Sequence, residues 1–546
     1  MFKRLPIKNK SGGSFAFGEK DIREILMSSY NGALKSVEEK RDYNLTVKMN
    51  KLTEEERENL IKNFHPDFYE GNFRVIEFGK NKGEKVPEKL AELLNGESET
   101  LLNGYAFNKP DYYTDTLVIG GGGAGSVSAL EAVKYGSVIL ATKFRLGDGN
   151  TVMAEGGMQA VDGFKSNAEK HFFDTYIGGG EFGDKNLIRT LTENGNNAVN
   201  YLKNLGVLFD RDEKGNYLLK RVGGASENRL HSYKDCTGLE IMRVLKKQVS
   251  SSPVKVLEYL SAIEILVGKS GRAVGAVFKN TGGDKITVIR AKSVIVATGG
   301  AGRLYYGGFS TSNSYDSTAD GVVICYRAGC TIKDGNSVQY HPTGAVYPKS
   351  FKGNLVTEKA RSLGAKLVNA NGEVFIDALI TRDAVSSAII KECKEGRGIE
   401  TEDGDFGVFF DIPMIDKLHG EGKTISELPN LYNSYKKIGI DITKQPILVY
   451  PTLHYQNGGV KIDENAETGV KNLYAVGEVS GGIHGRNRLM GNSLLELVVF
   501  GKIVGEKAGK KSKDISFEDP SDEFLKNYYG DKTASSGFSP QILPIE

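Results

Sequence analysis

Residues 484–501 read HGRNRLMGNSLLELVVFG: a histidine, two arginines and an amide stand directly before a long apolar run. If the run is a helix, Asn492 and Ser493 lie at its N-terminus, where backbone N–H groups lack intrahelical partners and the dipole is positive. Such an end binds anions. The cations ahead of it, His484, Arg486 and Arg488, would hold a second negative charge. The segment is therefore expected to seat a doubly anionic molecule against a group that becomes anionic.

A second chemical signal lies upstream. DTLVIGGGGAGSVSALEAVKYGSVILATK, residues 115–143, reads as strand, glycine turn, helix, strand. Gly120, Gly122 and Gly125 form G-x-G-x-x-G immediately after the strand, the context that a dinucleotide fingerprint requires. The first glycine permits the turn, the second lets the backbone approach a pyrophosphate, and the third packs helix on strand. The second strand ends in Thr142-Lys143 instead of the acidic residue that usually holds a ribose, which weighs against a standard NAD site. Two more strands run into turns, at ATGG (297–300) and at AVGE (475–478). They suit a cofactor that crosses several strand ends, and Glu478 could bind a ribose or a hydroxyl near the diphosphate.

The elements that must position these groups belong to a chain of 546 residues, enough for two or three domains. Its 71 basic and 69 acidic residues give a net charge of +2, which offers nothing to nucleic acid. Four scattered cysteines, with no C-x-x-C, exclude a disulfide scaffold and predict neither an iron–sulfur cluster nor a structural metal. The cytoplasm is the expected compartment. MFKRLPIKNKSGGSF at the start has no apolar h-region, and no run of apolar residues is long enough to span a membrane.

Along the chain, residues 1–112 read as a charged helical extension. DIREILMSSYNGALKSV has apolar residues at helical spacing, TEEERENLI opens with a capping box at Thr53 and Glu56, and VPEKLAELLNG has Pro87 and Asn95-Gly96 at its limits. The extension is either a packing appendage or a docking surface for a partner subunit. Residues 113–340 and 447–508 form two parts of a cofactor-binding domain, separated by a more irregular segment, 341–446. Residues 509–546 form a tail that ends in SSGFSPQILPIE.

Nine ordered motifs add a resemblance: VIGGGGAG, NTVMAEGG, VIVATGGAG, STADG, QYHPTG, TEKAR, TRDA, YPTLHYQNGG and AVGEVSGGIHGRNRLMGNSLLELVVFG. Over roughly residues 113–508 the chain resembles the flavoprotein subunit of the fumarate reductase and succinate dehydrogenase family, which includes the L-aspartate oxidases. The resemblance implies an α/β fold: an FAD-binding Rossmann-like domain with an inserted α+β capping domain, to which the N-terminal helical extension is added. It implies FAD contacts at Gly120, Gly122, Gly123, Ala124, Gly125, Thr142, Lys143, Asn150, Thr151, Gly156, Gly157, Asp320, Glu478, Ser493 and Leu494. The helix beginning near Ser493 would face the flavin pyrimidine and stabilise the charge of the reduced ring. Members with covalent FAD carry a histidine where this chain has Asn150, so FAD is expected to be non-covalent.

The resemblance also places a dicarboxylate on His341, Thr357, His454 and Arg488, two of them among only seven histidines. It assigns the proton in C=C reduction to Arg382, with Glu358 and Arg361 as its relay and Asp383 as a neighbour. Departures from the family pattern are Lys359 and SLG after TE, Arg486 before NR, and Tyr455-Gln456-Asn457. The helical C-terminal domain of the respiratory enzymes is missing from the pattern, so the electron-donating partner subunit, an iron–sulfur protein among the candidates, is open. Fumarate reduction is the first expectation, and succinate oxidation uses the same groups. L-aspartate oxidase is the alternative, because RVGGASENRLHSYKDCTG (221–238) resembles that branch and DRDEKG (210–215) could supply the acid that an ammonium needs. A non-catalytic FAD-bearing subunit would have lost a dicarboxylate ligand or Arg382, and all are present.

Overall fold

A computed structural model describes residues 19–98, 109–161, 167–304, 306–521, 523 and 537–538. MFKRLPIKNKSGGSF and most of SSGFSPQILPIE lie outside them. The TLVI sequence ends the strand Tyr112–Ile119, whose last four residues are buried, as a strand covered on both faces must be. Val138–Ala141 and the second half of Ile286–Val296 run parallel to it, and the latter also pairs in parallel with Leu473–Ala475. These strands come from distant stretches of sequence, yet their C-terminal ends, before Gly120, Thr142, Ala297 and Val476, line one edge. Ligands of open α/β sheets bind at that edge. Leu260–Gly268 and Ala273–Asn280, which contains AVGAVF, add antiparallel strands and complete an eight-stranded sheet with the short strands Lys255–Leu257 and Pro520–Ser521 at its ends.

The apolar run SLLELVVFG lies within the helix Asn492–Lys513, which packs along the helix Gly123–Ala132. Backbone proximity dictates the small residues between them. A Cβ on Gly505 would lie 2.5 Å from the Ser128 carbonyl oxygen.

The chain divides into two compact units. One holds the sheet above and comprises Tyr69–Tyr306, Ser312–Tyr340 and the described residues from Leu453 on. The other comprises the described residues up to Phe68 with Gly307–Thr311 and His341–Thr452. It holds most of a five-stranded sheet built on Val338–Ala345, Ile447–Gln456, Phe406–Asp411 and Lys366–Val368, with Ile399–Glu400 added to Phe406–Asp411. The described part of residues 1–112, read above as one extension, thus falls in two units. In the second unit the helix Glu19–Thr46 buries Ala33 and Val37 against Val368, Ile399, Phe409 and Leu448. The helix Glu54–Phe64 follows, closed by the reciprocal Thr53–Glu56 bonds at 3.2 and 2.8 Å. Residues from Tyr69 go with the first unit, where the helix Glu88–Asn95 buries Leu90, Ala91, Leu93 and Leu94. Among the described residues no helix is long and apolar enough to cross a membrane.

One ion pair ties the first helix to the second unit's sheet. Arg41 Nε donates to both Asp411 carboxylate oxygens, at 3.0 and 2.9 Å, and both side chains are buried. Burial pushes the Asp411 carboxyl up, and Arg41 pulls it back. Removing one partner leaves the other charge buried alone, so Arg41→Ala is expected to lose about 3–5 kcal/mol. Denaturant unfolding followed by a probe in this unit measures it, and a loss below about 1 kcal/mol, the range of exposed pairs, would show that the helix is not part of the unit's core.

Candidate active site

The glycines of the fingerprint divide into two kinds. A Cβ on Gly120 would lie 2.2 Å from the Ala297 carbonyl oxygen, and one on Gly125 2.0 Å from the Gly120 carbonyl oxygen, so the chain's own packing requires both. At Gly122 a Cβ would meet only Thr151 Oγ1, at 3.7 Å. Gly122 is the N-cap of the helix Gly123–Ala132 and, having no side chain, makes no cap bond of its own. Its backbone faces open space at a positive helix end, which fits the pyrophosphate of FAD. Gly123 N–H donates to Thr151 Oγ1 at 3.2 Å, and Ala124 is buried behind it. Gly156 and Gly157 leave room instead for Met490 Cε and the His231 carbonyl oxygen, which Cβ atoms would approach to 2.1 and 2.6 Å. Thr142 packs under Gly121. Lys143 Nζ donates to Thr318 Oγ1 at 2.8 Å and to Asp320 Oδ2 at 2.9 Å, so the lysine that replaces the usual acid is joined to Asp320 at the start of the helix Asp320–Arg327.

Asn150 is held from both ends. The Ser314 N–H, which can only donate, lies 2.7 Å from Oδ1 and fixes the amide's orientation. Nδ2 then lies within 3.0 Å of Asn313 Oδ1, Ser317 Oγ and Glu478 Oε2. Glu478 Oε1 accepts from the Gln456 N–H at 2.9 Å.

The helix Asn492–Lys513 begins after Gly491, whose φ of +89° and closeness to the Gln159 backbone exclude a side chain. Asn492 is locked between His171 and Thr175, at 2.8 and 2.9 Å. Arg488 donates to Ser493 Oγ at 3.1 Å, and its guanidinium lies 4.3 Å above the Tyr455 ring; Leu494 is buried beside it in sequence. The Tyr455 phenol donates to Glu496 at 2.9 Å, and burial and Glu496 together push its pKa well up, so it stays protonated. Glu496 also takes His484 Nε2 at 2.8 Å and Ser480 Oγ at 3.1 Å. Of the three cations expected to hold a second anion, Arg488 alone contacts the helix start. His484 is turned onto Glu496, and Arg486 is exposed over the Phe182 ring. The Tyr455–Glu496–His484 support escaped the sequence reading. Its signal was a glutamate inside an apolar run. His454 Nδ1 lies 2.9 Å from Ser312 Oγ.

The other site residues, His341, Thr357, Glu358, Arg361 and Arg382, belong to the second unit and are all buried. Glu358 Oε2 accepts from Arg382 Nε at 2.8 Å and lies 2.7 Å from Arg361 Nη2. Arg361 Nη1 donates to the Ala378 carbonyl at 2.8 Å. Burial holds the Arg361 guanidinium below its usual range and Arg382 lowers it further, while Glu358 works against both. His341 Nδ1 accepts the Thr343 N–H at 3.3 Å, which leaves its proton on Nε2, 4.0 Å from Glu358. Arg382 opens the helix Arg382–Lys394, where the helix dipole opposes a positive charge. Asp383, expected near the relay, takes Arg57 Nη2 at 2.7 Å.

Carboxylates of both segments that pointed to an ammonium-binding site have partners in the chain, among them Glu227, which takes Lys170 Nζ at 2.5 Å. In DRDEKG, Asp210 accepts the Lys234 N–H and Asp212 the N–H groups of Lys214 and Asn216, which folds the turn. In 221–238, Val222, Ala225 and Leu230 form an apolar cluster with Met490.

Residues 115–494 match the FAD binding domain family. An uncharacterized FAD-dependent oxidoreductase of Methanocaldococcus jannaschii is 42% identical over 404 residues, 72% of each chain. One subunit of the fumarate reductase (CoM/CoB) of Methanothermobacter marburgensis is 38% identical over 418 residues, 74% of each chain. Several L-aspartate oxidases match as well, as does the flavoprotein subunit of a succinate dehydrogenase. Among solved structures, an E. coli quinol fumarate reductase chain superposes with a TM-score of 0.69 at 31% identity, covering 77% of this chain and 73% of that one. The chain therefore belongs to the FAD-dependent oxidoreductase family that unites the flavoproteins of fumarate reductase and succinate dehydrogenase with L-aspartate oxidase.

Proposed function

We propose that the chain is the flavoprotein subunit of a fumarate reductase. The observation that carries this reading is the buried carboxylate of Glu358 shared by Arg382 and Arg361. A C=C bond is reduced by a hydride at one carbon and a proton at the other. Reduced FAD, when bound, supplies the hydride. Arg382 supplies the proton, and because a guanidinium is otherwise always charged it must be recharged at once. Glu358 passes that proton on from Arg361, whose burial favours its release. Arg488, His454, His341 and Thr357 hold the two carboxylates, Arg488 as a fork and the others by single bonds. Placing donor and acid in register is worth up to about 7–11 kcal/mol.

The same groups would serve succinate oxidation, whereas aspartate needs a partner for its ammonium. Relatives are named as subunits, which supports an electron-donating partner subunit for this chain, with an iron–sulfur protein as one candidate.

Asn150 supports non-covalent FAD, since an amide is no nucleophile. It also sits on Glu478, whose carboxyl burial raises to about 7 against the pull of Gln456, Asn150 and Arg488. Between its ordinary value of 4.5 and about 7 the folded chain keeps a proton that the unfolded chain has lost. The stability from this proton is present at low pH and is lost as pH rises through about 7.

With reduced viologen as donor under anaerobic conditions, Arg382→Ala is expected to lower fumarate turnover by about 10²–10⁴-fold with FAD still bound. An unchanged rate would discard the proposed acid; in a separate assay with an oxidised dye as electron acceptor, faster turnover of aspartate than of succinate would favour the oxidase. Acid denaturation should release the flavin, and flavin left on the polypeptide would contradict the role given to Asn150. In flavin-free protein, Glu478→Gln should flatten the loss of stability between pH 5 and 8 by about 1–3 kcal/mol; parallel profiles for the two proteins would show that Glu478 does not hold that proton.

A further inference from the structure

The helix that begins at Arg382 is gripped from outside its own fold motif. Its N-cap, Thr381, makes no side-chain bond to the helix it caps. Thr381 Oγ1 instead accepts from Arg57 Nε at 3.3 Å, and Asp383 Oδ2 takes Arg57 Nη2 at 2.7 Å. One guanidinium therefore bridges the residue before Arg382 and the residue after it. Arg57 lies in the first turns of the helix Glu54–Phe64, whose start is fixed by the Thr53–Glu56 box. Leu60 of the same helix packs on the cluster that contains Val385, Ala388 and Ile389 of the Arg382 helix. His65, which follows it, also faces Asp383, but burial keeps its imidazole neutral, down to about 4. Arg57 is thus a charged partner that Asp383 has from this N-terminal segment.

We infer that Arg57 is a positioning residue for proton transfer, and that residues 53–65 serve the reaction as well as packing. The inference rests on Arg382 being the acid. Asp383 adjoins Arg382 in sequence and is a second carboxylate that could draw its guanidinium away from Glu358. Arg57 engages that carboxylate and pins Thr381, so Arg382 stays on the relay. A misplacement of about 1 Å at a catalytic group can cost about 10²-fold in rate.

The test compares four variants of the full flavin-loaded chain, all with reduced viologen and fumarate. Arg57→Ala should lower kcat by about 10–100-fold, with the KM for fumarate, the FAD content and the rate of flavin reduction by the donor unchanged. Arg57→Lys, which keeps a cation opposite Asp383, should recover most of the rate. Lys62→Ala, on the exposed side of the same helix, should match wild type. Wild-type kcat for Arg57→Ala beside an inactive Arg382→Ala overturns the positioning role alone. An active Arg382→Ala overturns the acid assignment and this inference with it. If Arg57→Ala does not fold, Arg57→Gln takes its place; a slowed Gln variant beside a restored Lys variant supports the role, and equal rates for the two overturn it.

Discussion

Glu358 is a carboxylate in the interior that must serve two guanidinium groups. Burying any of these charges alone would be strongly unfavourable, and burying two cations together would be worse. The trio is tolerable because the oxygen shared at 2.7 and 2.8 Å compensates both arginines at once. Asp377 adds a further negative charge that favours the Arg361 guanidinium. An anion beside the trio would complete it, which is why the proposed substrate is a dicarboxylate. The start of the Arg382 helix, the Ala378 carbonyl on Arg361 and the orientation of His341 all follow from keeping this trio in register.

The flavin-binding unit solves a related problem with backbone in place of side chains. Two helix N-termini, after Gly122 and Gly491, offer a positive dipole end without a charged N-cap side chain. The residues around them are held by neutral or internally paired groups: Asn150 by Asn313, Ser317 and Glu478, Asn492 by His171 and Thr175, Lys143 by Asp320. Arg488 is the exception, a cation stacked on Tyr455, whose phenol is anchored by Glu496. The unit thereby combines a weakly positive surface for the cofactor with one strong cation.

Local chemistry made much of this legible in sequence. TLVI before GGGGAG could only be a buried strand meeting a turn, and the Thr53–Glu56 box and Pro87 mark helix starts because caps act within a few residues. The proposed site residues of the second unit were legible only by resemblance, since nothing in TEKAR or TRDA states that Glu358 and Arg382 meet across 24 residues. What the sequence concealed was long-range. That Val37 joins the core of Phe409 and Leu448, or that Arg57 reaches Asp383, depends on tertiary pairing between segments more than 300 residues apart, for which local pattern carries no signal. Arg486 misled for the converse reason: its neighbours in sequence are site residues, but its side chain lies on Phe182.

The central claim is that Arg382, held by Glu358, is the group that meets the reacting carbon. A crystal structure of the FAD-loaded protein with a bound C4 dicarboxylate tests it most directly. The account predicts the Arg382 guanidinium in contact with a carbon of the ligand's central bond while Nε remains on Glu358. A dicarboxylate bound at the flavin with Arg382 directed elsewhere would contradict it.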